Sequence, residues 1–307
     1  MRHPFLRTGL LLLLLFGICL VRQVTRPNRA LADEETQPVA RPTIVWFHCV
    51  SSNSMDSLDL ALASGLVTHV MVLYMHRNDA DWRDAKAQAV IERVKQSPAQ
   101  LIWCRDLWPY YKNNGLTRDC IYDPDYYRQE IEQLRAEGRA MGADAVALDY
   151  EPYGSSVVKP LFKDSEQRKT VDLTRLQAAL DQAAAAAGQV DYILPAGSTD
   201  STHPYNLISR LGVNRISEST YYNRADRLAK VTYPYEVFGA YVRPYEYNPD
   251  YPSLPFFTVA DLFERSDLWS GKKGVFLYTD GRHSLETART LMEYRRMLLS
   301  RADAVAP

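Results

Sequence analysis

The chain of 307 residues carries 36 Lys and Arg against 37 Asp and Glu, and 46% of its side chains are hydrophobic. That length and apolar content are enough for one large α/β domain or two smaller ones. A net charge of -1 excludes the basic excess expected of a nucleic-acid binder, and 14 Gly with 17 Pro exclude a collagenous or low-complexity chain.

Residues 1–32 read as a leader rather than as fold. Arg2, His3 and Arg7 precede the apolar run Leu10 to Val21, and Ala30-Leu31-Ala32 lies just before Asp33-Glu34-Glu35. This is the order of a secretory signal. The apolar run falls short of the ~20 residues that a spanning helix needs. The basic stretch Arg22 to Arg29 leaves an uncleaved membrane anchor as the alternative. Export is the expectation in either case, with membrane contact only through this leader. Residues 33–42 form a polar tether, residues 43–300 the folded domain and residues 301–307 a tail. Cys19 belongs to the leader. Cys49, Cys104 and Cys120 lack zinc-ligand spacing, so no metal site is expected of them. Packed, inert thiols are the expected state of Cys104 and Cys120, with a bridge between them the alternative in an oxidising compartment.

From Thr43 the chain alternates short apolar runs with amphipathic stretches. The strand candidates are Ile44–Val50, His69–His76, Leu101–Asp106, Ala145–Glu151, Tyr192–Gly197, Arg215–Tyr222, Val237–Val242 and Gly274–Thr279. Helical spacing marks Trp82–Gln96, Pro124–Met141, Leu173–Ala187, Thr258–Leu268 and Ser284–Leu299. Asp123-Pro124 reads as an N-cap followed by proline at the first helical position. Strands alternating with helices imply a parallel sheet, and eight units in about 260 residues match a single (β/α)₈ TIM barrel. A doubly wound sheet would show a glycine-rich turn after its first strand, where this chain has Cys49-Val50-Ser51-Ser52-Asn53.

Barrel chemistry sits at the C-terminal strand ends. In order, those ends carry His48; His76; Arg105 and Asp106; Asp149 and Glu151; Thr199 and Asp200; Glu218 and Tyr222; Tyr241 and Arg243; and Tyr278 and Asp280. The fourth strand is the most informative. Side chains alternate along a strand, so Asp149 and Glu151 share a face with Ala145 and Ala147, roughly 6–7 Å apart along the strand. Val146, Leu148 and Tyr150 take the other face. Two like charges in a partly desolvated cup push one pKa up, as a general acid toward a glycosidic oxygen requires.

The segment Asp144-Ala145-Val146-Ala147-Leu148-Asp149-Tyr150-Glu151 resembles the Asp-x-x-Asp-x-Asp-x-Glu motif of the family 18 chitinases and related endoglycosidases. Asp144, Asp149 and Glu151 match its first, third and catalytic acidic positions, and Ala147 stands at the second. Glu151-Pro152 is also similar to the Asn-Glu-Pro strand end of the large retaining glycosidase clan, with Tyr150 in place of the Asn. The resemblance implies a TIM-barrel glycoside hydrolase acting on an oligosaccharide or polysaccharide, with Glu151 as proton donor. Two routes to the second half of the chemistry stay open. Glu218 is a candidate nucleophile. Alternatively a 2-acetamido group of the substrate attacks, oriented by Asp149 and hydrogen-bonded by Tyr222 or Tyr221.

Candidate substrate contacts are His48, His76, Arg105, Asp106, Tyr222, Tyr241, Arg243, Tyr278 and Asp280, joined by Trp108 and Tyr153 because aromatic faces stack on the C–H faces of sugar rings. No cofactor and no metal are expected. The rival readings are a metal-dependent hydrolase using His48 and His76 with Asp106 or Glu151, and a barrel that binds a glycan without cleaving it.

Overall fold

The structure, a computed structural model, describes residues 43–74, 85–106, 117–150, 158–195, 203–281 and 283–305. The expected leader and tether lie outside them. Among the described residues no helix is long and apolar enough to cross a membrane.

Eight parallel strands close into one barrel in sequence order: β1 (Thr43–Cys49), β2 (His69–Tyr74), β3 (Gln100–Asp106), β4 (Ala145–Tyr150), β5 (Val190–Pro195), β6 (Gly212–Ser217), β7 (Val237–Tyr241) and β8 (Gly274–Tyr278). β1 closes the ring by pairing with both β2 and β8. The expected (β/α)₈ class is the observed one.

The helices start and stop on local chemistry. In α1 (Met55–Ala63) the Ser54 side chain accepts the Ser57 amide, satisfying one of the donors a helix leaves open at its N-terminus. α2 spans Ala85–Lys95. α3 runs Pro124–Met141 as expected, with Asp123 capping its start and Gly142 closing it at φ 64, a left-handed angle that glycine adopts without strain. After the short α4 (Val158–Lys163) and α5 (Ser165–Arg168), α6 runs Leu173–Ala187, also as expected, under an Asp172 cap. The short α7 (Pro204–Ile208) and α8 (Ala225–Leu228) follow. The expected helix Thr258–Leu268 is instead α9 (Val259–Glu264), held by a reciprocal Thr258–Asp261 capping box, and a separate 3₁₀ turn at Ser266–Leu268. α10 (His283–Val305) continues past the expected end at Leu299.

Two apolar layers result, because every strand of a closed parallel barrel is buried on both faces. The interior is filled by Val45, Phe47, Cys49, Met71, Leu73, Ile102, Cys104, Ala147, Leu194, Ile216, Val237 and Phe276. The larger layer between strands and helices takes the alternate positions, among them Trp46, Val72, Trp103, Val146, Leu148, Tyr150, Phe238 and Leu277. Carboxylates tie the N-terminal end of the barrel: Asp144 accepts the Leu101 amide, Asp191 that of Val146 and Glu236 that of Arg215. Asp144 therefore serves the strand starts, at the opposite end of β4 from Asp149.

Candidate active site

Asp149 lies on the interior face of β4, since Ala145 and Ala147 pack with the interior layer and Val146, Leu148 and Tyr150 with the outer one. Its partner across the sheet is Asp106, the last residue of β3. Asp106 follows Ile102 and Cys104 on the interior face and is only 6% exposed. Two carboxylates thus stand side by side at the C-terminal mouth, about one strand spacing of 4.8 Å apart at the backbone. Both bear on the Cys104 thiol just below. Burial pushes that thiol well up, and the charges of Asp149 and Asp106 push it further. Cys104 and Cys120 are both free thiols, and the Cys120 thiol is pushed up to about 11, chiefly by burial.

The far side of the mouth is aromatic. The Tyr278 ring packs against Phe47, Tyr221 and Tyr241 at centroid distances of 5.0, 5.4 and 4.9 Å. Above it, the Tyr241 hydroxyl donates to Asp280 at 2.5 Å and accepts from Arg243 at 2.6 Å, and Arg243 pairs with Asp280 at 2.7 Å. Burial works to raise the Asp280 carboxyl, but the bonds from Arg243 and Tyr241 and the Arg243 charge outweigh it and hold the group below its ordinary value. Tyr241, Arg243, Tyr278 and Asp280 are therefore gathered at one mouth, as β7 and β8 require by their alternation. Tyr222 sits at the rim against Tyr241 and Phe256. Its neighbour Tyr221, rather than Tyr222, packs with the interior layer.

Two residues expected at the mouth are not there. His48 alternates with Trp46 and Val50, members of the outer layer, so it faces the helices. It is fully buried, and neither ring nitrogen has a hydrogen-bond partner among the described residues. Burial, with a smaller push from the charge of Lys86 in α2, lowers its pKa to about 4 from 6.5. Arg105 alternates with Trp103 and likewise points outward, pairing with Glu130 at 3.4 Å and Glu137 at 3.5 Å, both on α3. Glu137 also accepts the Trp103 indole N–H. The reason is common to both: the strand ends are polar on either face, and alternation decides which face a residue takes.

The His48 environment makes a stability prediction. The unfolded chain binds a proton near 6.5 and the folded one only near 4, so lowering the pH through that window favours unfolding. At 1.36 kcal/mol per pKa unit the wild type should lose about 3 kcal/mol between pH 7 and 4 through this residue. Urea titrations at the two pH values should show His48→Gln sparing that part of the loss. An identical acid sensitivity in the variant rejects the assignment.

Glu218 was expected on the sixth strand, but β6 ends at Ser217 and Glu218 opens a 3₁₀ turn, Glu218–Thr220. Thr220 holds that turn against β7, its hydroxyl donating to the carbonyls of Ser217 and Gly239. Gly239 is the residue that sequence reasoning passed over. A Cβ there would lie 2.2 Å from the Ser217 carbonyl oxygen and 2.7 Å from the Tyr221 ring, so its absence is what admits Tyr221 to the mouth. Gly239→Ala should cost about 1–3 kcal/mol through overpacking and displace Tyr221 from the mouth. Thermal denaturation checks the cost; an unaltered Tm removes the steric argument.

His76, Trp108, Glu151, Tyr153, Thr199 and Asp200 lie outside the described residues. Among those described, no group of three or more His, Cys, Asp or Glu side chains is arranged to hold a metal ion.

Fold and mouth together define a TIM barrel with an acidic and an aromatic side at its C-terminal end. No family model matches the chain, and no curated protein matches it in sequence. Among solved structures, the barrel is similar to a class V chitinase from Pseudomonas fluorescens Pf-5, at a TM-score of 0.50 and 11% identity over 81% of this chain and 99% of that one. A chitinase from Bacteroides thetaiotaomicron aligns at 0.49 and 10% identity, covering 82% and 96% of the two chains. An endo-β-N-acetylglucosaminidase from Cordyceps militaris aligns at 0.46 and 10%, covering 82% and 90%. At such identities what is shared with the Pseudomonas protein is the fold.

Proposed function

We propose that this chain is an exported glycoside hydrolase that cleaves the O-glycosidic bond of a 2-acetamido sugar by substrate-assisted acid/base catalysis. Glu151, which directly follows Tyr150 in the chain, protonates the leaving oxygen. The substrate's acetamido oxygen attacks the anomeric carbon as that bond breaks, and the Asp149 carboxylate stabilises the positive charge that develops on the acetamido nitrogen. Tyr221 hydrogen-bonds the acetamido group. Water then opens the cyclic intermediate, giving its proton to Glu151 and restoring the acid.

The observation that carries this reading is the pairing of an acidic side, Asp106 and Asp149, with an aromatic wall of Tyr221, Tyr241 and Tyr278 around the same mouth. A sugar ring needs both: stacking for its C–H faces and charge for its anomeric centre. The turn position of Glu218 favours the substrate-assisted route over a Glu218 nucleophile, because the residue is carried off the strand whose alternation would have aimed it inward.

A panel of chromogenic and polymeric glycans with and without 2-acetamido groups tests the proposal. Turnover restricted to the 2-acetamido members supports it. Turnover of sugars lacking that group, with covalent labelling of Glu218 by a 2-fluoro sugar probe, replaces it by the double-displacement route. Ala147 in the second acidic position of the motif, fully buried in the interior layer, favours one other reading: a barrel that binds glycans without cleaving them. Binding without turnover across the panel would select it. Export is tested by fractionating cells that make the full chain, and recovery of the protein in the cytosol alone would remove it.

A further inference from the structure

The motif carries Ala147 where an aspartate would stand two residues before Asp149 on the same face of β4. Two neighbouring features bear on that substitution. The methyl group of Ala147 lies in the barrel interior, and the strand alongside supplies a carboxylate, Asp106, in register with Asp149. Residues two apart on one strand are separated by about 6–7 Å, whereas partners on adjacent strands are about 4.8 Å apart. One interior step below, Cys104 and Ala147 are in register with each other, and the charges of both carboxylates raise the Cys104 thiol.

The geometry points to Asp106 as a positioning residue: it shares a proton with Asp149 and so supplies from β3 the partner that β4 lacks at position 147. Two carboxyls this close, Asp106 buried and Asp149 half-buried, do not both ionise freely. They lose their protons in two steps that belong to the pair. One proton held between them fixes the orientation of the Asp149 carboxyl before substrate arrives, and its release sets the charge Asp149 presents to the acetamido group. The catalytic consequence rests on the glycosidase reading above; the pairing itself does not. The titratable groups facing the pair among the described residues are the thiols of Cys104 and Cys49 and the hydroxyls of Tyr192, Tyr221 and Tyr278 on the interior face, with the Arg243–Asp280 ion pair across the mouth. Arg105, Glu130 and Glu137 lie behind the strand.

The experiment is a carboxyl-carbon NMR titration of the unliganded protein labelled at aspartate, in wild type, Asp106→Asn and Asp149→Asn. Asp106 and Asp149 should titrate as a coupled pair, one step above the ordinary carboxylate range, and either variant should return the survivor to a single step at lower pH. In parallel, Asp106→Asn should move the acid limb of the kcat profile down by about one pH unit, while KM stays within about twofold; a merely structural role would lower stability without moving the limb. Reinstating the carboxylate in Asp106→Asn/Ala147→Asp should carry the limb back. Two independent steps at ordinary values in wild type overturn the pairing, whether or not the double variant folds. Coupled steps in a protein inactive on every glycan keep the pairing and remove the glycosidase reading instead.

Discussion

On the proposed route Asp149→Asn should lower kcat on 2-acetamido glycosides by about 10²–10⁴-fold, and Glu151→Gln by a similar factor, since a positioned proton donor contributes on that order. The factor corresponds to about 3–5 kcal/mol of transition-state stabilisation. Asparagine keeps the shape of Asp149 but presents a neutral amide, which cannot balance the positive charge forming on the acetamido nitrogen. The loss should therefore fall on kcat, with KM little changed. The two variants separate on a substrate with a good leaving group. Such a substrate needs little protonation, so Glu151→Gln should recover much of its rate and Asp149→Asn should not. Steady-state kinetics on a nitrophenyl and an alkyl glycoside check this. Wild-type rates in a folded Asp149→Asn protein remove the substrate-assisted mechanism.

Arg105→Ala should destabilise the fold by about 3–5 kcal/mol, the usual cost of removing one partner from a buried ion pair. Glu130 and Glu137 would be left against β3 without a cation, under side chains that are only 11% and 4% exposed. The pH dependence is specific. Burial already raises the Glu130 carboxyl, Arg105 opposes that rise and Glu137 adds to it. Without Arg105 the folded-state value climbs further above the unfolded one. A carboxyl raised in the folded state contributes stability that is present below its unfolded pKa and lost as pH rises through the folded value. The penalty should therefore be largest at neutral pH and shrink toward pH 4. Denaturant titration at both pH values measures it. A large loss of glycan affinity with unchanged stability would return Arg105 to the mouth.

How far the sequence could be read differs between elements for physical reasons. The Asp123-Pro124 start and the full spans of α3 and α6 are local events of capping and spacing, and they are visible in a few consecutive residues. The interior direction of Asp149 is nearly local as well, because small Ala145 and Ala147 on one face and bulky Val146, Leu148 and Tyr150 on the other mark the two sides of β4. His48 and Arg105 carry no such mark. Their strands read Ile-Val-Trp-Phe-His and Leu-Ile-Trp-Cys-Arg, apolar at every position before the His or Arg, since a barrel strand is buried on both faces and hydropathy does not alternate along it. Only closure of the sheet assigns Trp46, His48, Trp103 and Arg105 to the helix side.

Glu218 shows the same division at a strand end. Its apolar and β-branched neighbours favour an extended chain, but the turn after Ser217 is held by Thr220 bonded to Gly239, a residue 19 positions further on. The pairing of Asp106 with Asp149 spans 43 positions and exists only through the β3–β4 register. By itself the sequence determined the alternation of strands and helices, hence the barrel, and the inward side of β4 on which Asp149 lies. Tertiary structure alone decided which polar strand ends face the mouth, because in a closed barrel that choice depends on register and closure between distant segments rather than on the local pattern of polar and apolar residues.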